Sequence, residues 1–383
     1  MFNKNQSSHL NEAVIAVVAV AIVAVLAGGF LMYKQSSAAP ELPQAPANQP
    51  QQPATEQPAA TEPEQPAEQQ QPAEQHAAAP ADAAARTAQL DRALGAIGAF
   101  PDALTTTAFS ADDPATPLEF AIPESLQNAV NAFENEGFGA SFVLYDLNTG
   151  KGLYRDADAS YWSASTAKAP FATYIAQNLL DTGAASKDDV LQETETVSGT
   201  GVMFSDDKTE YPLSEVVENT IEYSDNTGYL MLWNAYHDGL PEWAASAGAS
   251  DQSWATEQYP FYSPRTVAQL WCGIDRYLNA GAANSTWLRG VFDLSSDSFI
   301  RTALTGRTAV KEVMSKPGFS TDLGLAQPTA GLHDAGVVST ETGDYVVAIM
   351  TTCPYDSTGD THYGAYLEAL AAALDDCRNQ LIA

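Results

Sequence analysis

The hydrophobic pattern changes sharply near the start of the chain. Residues 14 to 32 form an uninterrupted run of 19 apolar or glycine residues. A helix of that length crosses a hydrocarbon core of roughly 30 Å, so the run predicts a transmembrane anchor over residues 13–33, after a short tail over residues 1–12. A cleaved signal peptide is the alternative, but its apolar region is normally shorter, about 7–15 residues.

Large apolar residues then almost disappear. Residues 34–88 are rich in Pro, Gln, Ala and Glu, with ten prolines between Pro40 and Pro80. Such a segment cannot bury a core, so it stays extended and can hold a domain ~100 Å or more from a membrane. A spacer of this kind is typical of a cell-envelope protein. We therefore expect a cytoplasmic tail, a single pass through the cell membrane and an extracytoplasmic domain.

Periodic apolar patterns return after an extension, residues 89–122, to which the sequence assigns no role. Helical spacing fills the middle of the chain and closes its end. Alternating or continuous apolar runs predict strands on either side of the helices. The five predicted strands are Ser141–Leu147, Lys151–Arg155, Thr308–Ser315, Leu332–Ser339 and Asp344–Cys353. Residues 123–383 are thus predicted to form one α+β domain, an antiparallel five-stranded sheet flanked by helices with an inserted all-helical lobe.

Composition excludes several classes of function. The formal net charge is -31 with only 17 Lys and Arg, which argues against nucleic acid as a partner because phosphate binding needs a basic face. Cys272, Cys353 and Cys377 have no C-x-x-C spacing and the five histidines form no paired ligand motif, so we predict no metal and no cofactor. A Cys353–Cys377 disulfide is not expected, since the first ends a strand and the second lies far along the next helix.

The candidate chemistry starts at Ser165-x-x-Lys168, where an apolar helical stripe begins. Positions three apart share a helix face, so the hydroxyl and the amine can lie close together. A serine hydroxyl needs a base to become a nucleophile, and lysine can be that base only if burial or a second cation lowers its pKa. The same pattern recurs at Ser205-x-x-Lys208, but that copy lies among charged and turn-forming residues and is interpreted as a solvated loop.

Two further motifs follow in order. Ser224-Asp225-Asn226 by itself is typical of a turn beside a helix, and Lys316-Pro317-Gly318 by itself is typical of the end of a strand. Their order after Ser165-x-x-Lys168, each in the matching structural context, is what the penicillin-recognising serine enzymes share. Residues 123–383 therefore resemble the class A β-lactamase and DD-peptidase (penicillin-binding) superfamily.

The resemblance implies a role for each matching residue. Ser165 would be the acylated nucleophile and Lys168 its base partner. Ser224 would relay a proton to the leaving nitrogen, and Lys316 would be the second cation. The remaining implied positions are Asn226 and Gly318 for substrate binding, and the backbone N–H groups of Ser165 and Phe319 for the oxyanion hole.

The chain departs from the family pattern at two places. It has no Glu-x-x-Leu-Asn loop, whose glutamate activates the hydrolytic water in class A enzymes, and Glu257 is the one glutamate in the corresponding stretch. Glu257 is therefore the candidate deacylation base, although a surface charge is the more common role of such a residue. Pro317 replaces the usual Thr or Ser and removes a hydroxyl donor.

The sequence leaves the substrate open. The leading hypothesis is a membrane-tethered serine hydrolase that acts through a Ser165 acyl-enzyme on β-lactams or related amides and esters. The alternatives are a DD-carboxypeptidase or penicillin-binding protein acting on peptidoglycan peptides, and a non-catalytic envelope module with this fold.

Overall fold

The computed structural model describes residues 80–295, 297–321, 329–355 and 362–383. The predicted tail, the predicted anchor over residues 13–33 and most of the predicted linker lie outside these residues. Within the described residues, no helix has both the length and the apolar character needed to cross a membrane.

A six-stranded antiparallel sheet forms the centre of the described chain, with strand order β1-β3-β2-β10-β9-β8. Its strands are β1 (Thr107–Ser110), β2 (Ala140–Asp146), β3 (Lys151–Arg155), β8 (Val310–Ser320), β9 (Gly331–Thr340) and β10 (Tyr345–Thr351). Two small two-stranded pairs lie outside it and are formed by β4 (Tyr161–Trp162) with β7 (Phe261–Tyr262) and by β5 (Val190–Gln192) with β6 (Glu210–Pro212).

Helices cover both faces of the sheet. The α-helices are α1 (Pro80–Ala99), α2 (Glu124–Asn135), α3 (Lys168–Tyr174), α4 (Leu213–Glu222), α5 (Asn226–Tyr236), α6 (Leu240–Ala247), α7 (Pro264–Leu278), α8 (Ala283–Asp293), α9 (Phe299–Leu304) and α10 (His362–Ile382). The segment between β3 and β8, apart from α9, forms the inserted, mainly helical lobe, as the sequence predicts. The α+β class and the antiparallel sheet are confirmed.

The predicted strand number was wrong, because the sheet contains a sixth strand. The additional strand, β1, comes from the extension over residues 89–122 and pairs with β3 at the sheet edge. It spans only four residues, Thr107–Ser110, which is too short for a recognisable alternation of apolar and polar side chains. Its pairing depends on residues about forty positions further along the chain, so the local pattern does not predict it.

Helix α1 starts inside the segment for which the composition predicts a linker. Leu90 and Ile97 within α1, and Phe100 just beyond its end, are buried in the same core as the helical lobe. Arg86 donates from Nε to Asp275 Oδ2 at 2.7 Å, and this aspartate is fully buried in α7. Removing the arginine would leave a buried carboxylate uncompensated, so α1 belongs to the folded unit.

Two hydrophobic cores meet at the sheet. Val346 and Ala348 of β10 face the helical lobe, whereas Val347 and Ile349 face the layer formed by α2, α9 and α10. Because both faces are covered, β10 is apolar along its whole length instead of alternating. Cys272, Cys353 and Cys377 are free cysteines buried in these cores.

Candidate active site

The first motif lies on a tight turn rather than within an α-helix. Ser165 belongs to a 3-10 helix, Ala164–Ala167, and Lys168 opens α3 directly after it. Ala164 has a φ of 45°, a left-handed conformation that costs energy for a residue with a Cβ. Strain of this kind concentrates at functional sites. The Ser165 side chain lines a cavity, and within the described residues its hydroxyl has no hydrogen-bond partner.

Lys168 is completely buried and binds the second motif. Its Nζ donates to the Ser224 carbonyl oxygen at 2.6 Å and to Asn226 Oδ1 at 2.8 Å, and it lies 3.3 Å from Ser224 Oγ. Burial, and next the positive charge of Lys316, hold the pKa of Lys168 well below its ordinary value. A neutral amine has two N–H donors, and the two short bonds use both. Its lone pair is then free to accept a proton.

The Ser224 hydroxyl lies between two lysine amines. Lys316, buried on β8, donates from Nζ to Ser224 Oγ at 3.0 Å and to the Pro317 carbonyl oxygen at 3.2 Å. Burial lowers the pKa of Lys316 to about 8, although the negative charges of Asp334 and Asp297 oppose the shift. Ser224 itself has a φ of 53°. The Ser224 hydroxyl therefore connects the amines of Lys168 and Lys316.

Asp225, the middle residue of the second motif, holds the loop that carries its neighbours. Its Oδ1 accepts the N–H of Gly228 at 2.8 Å and so caps α5. Its Oδ2 accepts the N–H groups of Val202 at 2.6 Å and Met203 at 2.8 Å. One buried carboxylate therefore ties the 3-10 helix Met203–Ser205 to the start of α5. Asn226 is fixed next to Lys168 as a result.

Gly318 lets β8 approach the 3-10 helix Ala164–Ala167, which carries the candidate nucleophile Ser165 and is called the nucleophile turn below. A Cβ built on Gly318 would lie 2.7 Å from the backbone nitrogen of Thr166 and 2.8 Å from that of Ser165. No larger residue fits without a movement of backbone. The contact brings Phe319, the next residue on β8, to the wall of the same cavity as Ser165. The backbone segments that carry Ser165 and Phe319 are therefore in close contact at Gly318.

The cavity has a volume of about 460 Å³ and aromatic walls. Of the residues singled out from the sequence, Ser165, Asn226 and Phe319 line it. Lys168, Ser224, Lys316 and Gly318 are buried and connect to these residues through the contacts above. The sequence assigned no role to Trp162, Thr200, Tyr259 and Tyr355, which also line the cavity. Thr200 lies between two glycines with positive φ. This Gly-Thr-Gly stretch is the local sequence feature that indicates an unusual loop at this wall of the cavity.

Glu257, the candidate deacylation base, is exposed and does not line the cavity. Tyr259, two residues later, occupies the cavity wall instead and donates from its hydroxyl to Asn226 Oδ1 at 3.2 Å. Burial raises the pKa of the Tyr259 phenol well above its ordinary value. The phenol stays protonated at physiological pH and is unsuited to act as a base. The loop therefore brings a neutral aromatic side chain to the site rather than a carboxylate.

Pro317 lies within β8, because the strand continues past the predicted end at Ser315 to Ser320. Proline is tolerated here since β8 is an edge strand of the sheet. Pro317 is buried and does not line the cavity; Ser320 and Thr321, just beyond it, do. No group of His, Cys, Asp and Glu side chains that could hold a metal ion occurs in the described part of the chain.

Comparisons with solved structures support the fold. PBP-A matches with a TM-score of 0.56 and 20% identity, covering 69% of this chain and 99% of its own. A β-lactamase from Sphaerobacter thermophilus matches with a TM-score of 0.54 and 21% identity, covering 66% of this chain and 96% of its own. A class A β-lactamase from Mycobacterium abscessus matches with a TM-score of 0.54 and 19% identity, covering 68% of this chain and 100% of its own.

No curated protein sequence gives a significant match to this chain. The family model described as the β-lactamase enzyme family matches residues 122–374. This range contains the three motifs, the cavity and most of the sheet. The chain therefore belongs to the β-lactamase enzyme family and has its serine-hydrolase fold.

Proposed function

We propose that this protein is an extracytoplasmic serine hydrolase that forms an acyl-enzyme at Ser165 with β-lactams or related amides and esters and releases the acyl group slowly. The proposal rests on one observation: the amines of Lys168 and Lys316 both contact the Ser224 hydroxyl. Lys168, with its lowered pKa, and Lys316 both bind Ser224 Oγ, next to a cavity that exposes the unpaired Ser165 hydroxyl.

In the proposed acylation, these residues act in sequence. The neutral Lys168 amine takes the proton of Ser165 while Oγ attacks the substrate carbonyl carbon. The backbone N–H groups of Ser165 and Phe319 stabilise the oxyanion. The C–N or C–O bond to the leaving group then breaks. Ser224 donates its proton to the leaving atom and is reprotonated from Lys168, while the charge of Lys316 stabilises the transient alkoxide character of Ser224.

Deacylation lacks a dedicated base among the described residues that line the cavity. Glu257 is exposed outside it, and the Tyr259 phenol remains protonated. Acylation and deacylation therefore differ in rate, and the acyl-enzyme accumulates. This behaviour favours a penicillin-binding enzyme over an efficient β-lactamase. PBP-A, one of the structural neighbours, is known as an acyl-enzyme complex with penicillin G in a point mutant.

Labelling tests the proposal. Purified protein is treated with a fluorescent penicillin and with an activated aryl ester, and the adduct is mapped by mass spectrometry. We expect one equivalent on Ser165, none in Ser165→Ala, and a rate reduced by about 10²–10⁴ in Lys168→Ala. Lys208→Ala, in the other Ser-x-x-Lys copy, is the matched control; Lys208 is exposed and pairs with Glu215. Absence of any adduct with either reagent would favour the non-catalytic envelope module.

We also propose that residues 13–33 anchor the protein in the cell membrane, with residues 34–88 as the spacer and the hydrolase outside. Support comes from the apolar run and the Pro-rich composition. The full chain should remain with membranes after an alkaline carbonate wash, and a chain starting at residue 34 should not. External protease should remove the hydrolase domain from spheroplasts. Recovery of the full chain in the soluble fraction would contradict the anchor.

A further inference from the structure

The two oxygens that accept the short hydrogen bonds of the Lys168 amine are each shared with a hydroxyl of the cavity wall. Thr200 Oγ1 donates to the Ser224 carbonyl oxygen at 2.5 Å, beside the Lys168 bond at 2.6 Å. Tyr259 Oη donates to Asn226 Oδ1 at 3.2 Å, beside the Lys168 bond at 2.8 Å. A carbonyl oxygen has two lone pairs, so a lysine N–H and a hydroxyl together occupy both.

The loop that carries Thr200 lies directly against the second motif. The Asn226 N–H donates to the Thr200 carbonyl oxygen at 3.1 Å. The neighbours of Thr200, Gly199 and Gly201, have φ values of 120° and 116°. A Cβ at Gly199 would lie 2.8 Å from Asn226 Nδ2, and a Cβ at Gly201 would lie 2.6 Å from the Cα of Asp225. The two glycines therefore permit the close approach that brings the Thr200 hydroxyl to the Ser224 carbonyl.

The Tyr259 ring is held by contacts that do not involve its hydroxyl. Its centroid lies 5.2 Å from that of Tyr229, in an edge arrangement, and 5.4 Å from that of Trp162. Tyr229 Oη donates to the Gln258 carbonyl oxygen at 2.7 Å and so fixes the residue before Tyr259. Tyr259→Phe should therefore leave the ring in place and remove only the donor to Asn226.

Several charged and polar groups from separate elements face the Lys168 amine. Burial and the charge of Lys316 on β8 lower the pKa of Lys168, and the negative charge of Asp225 opposes them. The Tyr229 ring of α5 lies with its centroid 5.7 Å from Nζ. Hydrogen bonds that favour the charged form of an amine raise its pKa. A hydroxyl that shares an acceptor with the lysine takes part of this bonding away, because two donors compete for one carbonyl dipole.

We propose that Thr200 and Tyr259 are positioning residues for the Lys168 base: their hydroxyls hold the Ser224 carbonyl and the Asn226 carboxamide in place and limit how strongly these groups bind a charged lysine. This inference rests on the proposed acylation of Ser165. No proton moves through either hydroxyl. Lys168 takes the proton of Ser165, and the two hydroxyls keep its amine neutral at a lower pH than the acceptors alone would allow.

The acid limb of the acylation pH profile tests the inference in the full-length protein. Single-turnover acylation by a p-nitrophenyl ester without a titratable group is followed by stopped flow, read at the isosbestic wavelength of nitrophenol. We expect Tyr259→Phe and Thr200→Val each to shift the acid limb to higher pH by about 0.5–1 unit, since a freed acceptor binds the charged lysine better. The rate on the acid side should fall about three- to tenfold, and the plateau rate should change less.

Matched controls remove a hydroxyl hydrogen bond outside the cavity lining. Tyr277→Phe loses a bond to Asp181 of 2.8 Å, and Thr182→Val loses a bond to the Asn178 carbonyl oxygen of 2.6 Å. Both controls should keep the wild-type profile. Thr200→Ser retains the hydroxyl and should keep the wild-type acid limb. Thermal unfolding checks that each variant is folded.

The outcomes separate this inference from the proposed function. An acid limb that stays in place or moves to lower pH in both Tyr259→Phe and Thr200→Val would overturn the inference and leave the Ser165 acyl-enzyme standing. A rate reduced by the same factor at every pH would indicate a purely structural role and would also overturn it. A shift in one variant alone would remove the other residue from the proposal. Failure of the wild-type protein to acylate Ser165 with any ester would overturn the proposed function itself.

Discussion

Gly318→Ala is the perturbation whose consequence is most directly fixed by the geometry. The added Cβ would lie 2.7 Å from Thr166 N, 2.8 Å from Ser165 N and 3.0 Å from the Ser163 carbonyl oxygen. All three atoms belong to backbone, so no side-chain rotation relieves the contacts. Ordinary contact begins near 3.4 Å. The nucleophile turn and β8 must therefore separate by about 0.6–0.7 Å.

That separation acts on the reacting atoms themselves. The proposed oxyanion hole uses the N–H groups of Ser165 and Phe319, which lie on the two segments that are forced apart. Misplacement by about 1 Å can cost ~10²-fold in rate, and loss of one oxyanion donor costs ~10²–10³-fold. We therefore expect the acylation rate constant of Gly318→Ala to fall about 100-fold, equivalent to ~2.7 kcal/mol in activation free energy. Overpacking should also lower the free energy of unfolding by ~1–3 kcal/mol.

Stopped-flow acylation with an activated ester, together with thermal unfolding, separates the two effects. Gly290→Ala is the matched control, because a Cβ at Gly290 meets nothing within 4 Å and the residue lies in α8. That control should keep the wild-type rate and gain ~0.5–1 kcal/mol in stability. A folded Gly318→Ala protein that acylates within about threefold of wild type would show that the β8 contact does not position the oxyanion donors.

Three further expectations follow from the structure. The acylation rate should show a bell-shaped pH dependence. The rate falls in acid as Lys168 gains a proton, and it falls as the pH rises through about 8, where Lys316 loses its charge. Lys316→Arg should shift the alkaline limb to higher pH, and an unchanged limb would assign it to another group. A chromogenic cephalosporin should give a burst of about one equivalent followed by slow release of the acyl group, and Glu257→Gln should leave both phases unchanged. Fast steady-state hydrolysis that is abolished by Glu257→Gln would contradict the surface placement of this glutamate. A chain starting at residue 101 should unfold at a lower temperature than one starting at residue 80, because it loses a buried helix face and the partner of Asp275; equal melting temperatures would show that α1 is dispensable.

Local pattern in the sequence was enough for the fold class and for the three motifs. The strands β2 and β10 have apolar runs because their side chains face hydrophobic cores on both sides of the sheet. Ser165-x-x-Lys168, Ser224-Asp225-Asn226 and Lys316-Pro317-Gly318 are each contiguous, so they can be recognised without knowledge of the fold. The order of the motifs, rather than any one of them, predicted the family.

Other features depend on residues far apart in the chain, and only the tertiary structure decided them. Strand β1 exists because β3 provides a partner, and the exposure of Glu257 results from how its loop packs rather than from its residue type. The low pKa of Lys168 arises from burial and from Lys316, a residue nearly 150 positions later. Periodicity reports which residues are buried within one element. It does not show which buried groups from separate elements come into contact, and the electrostatics of this site depend on those contacts.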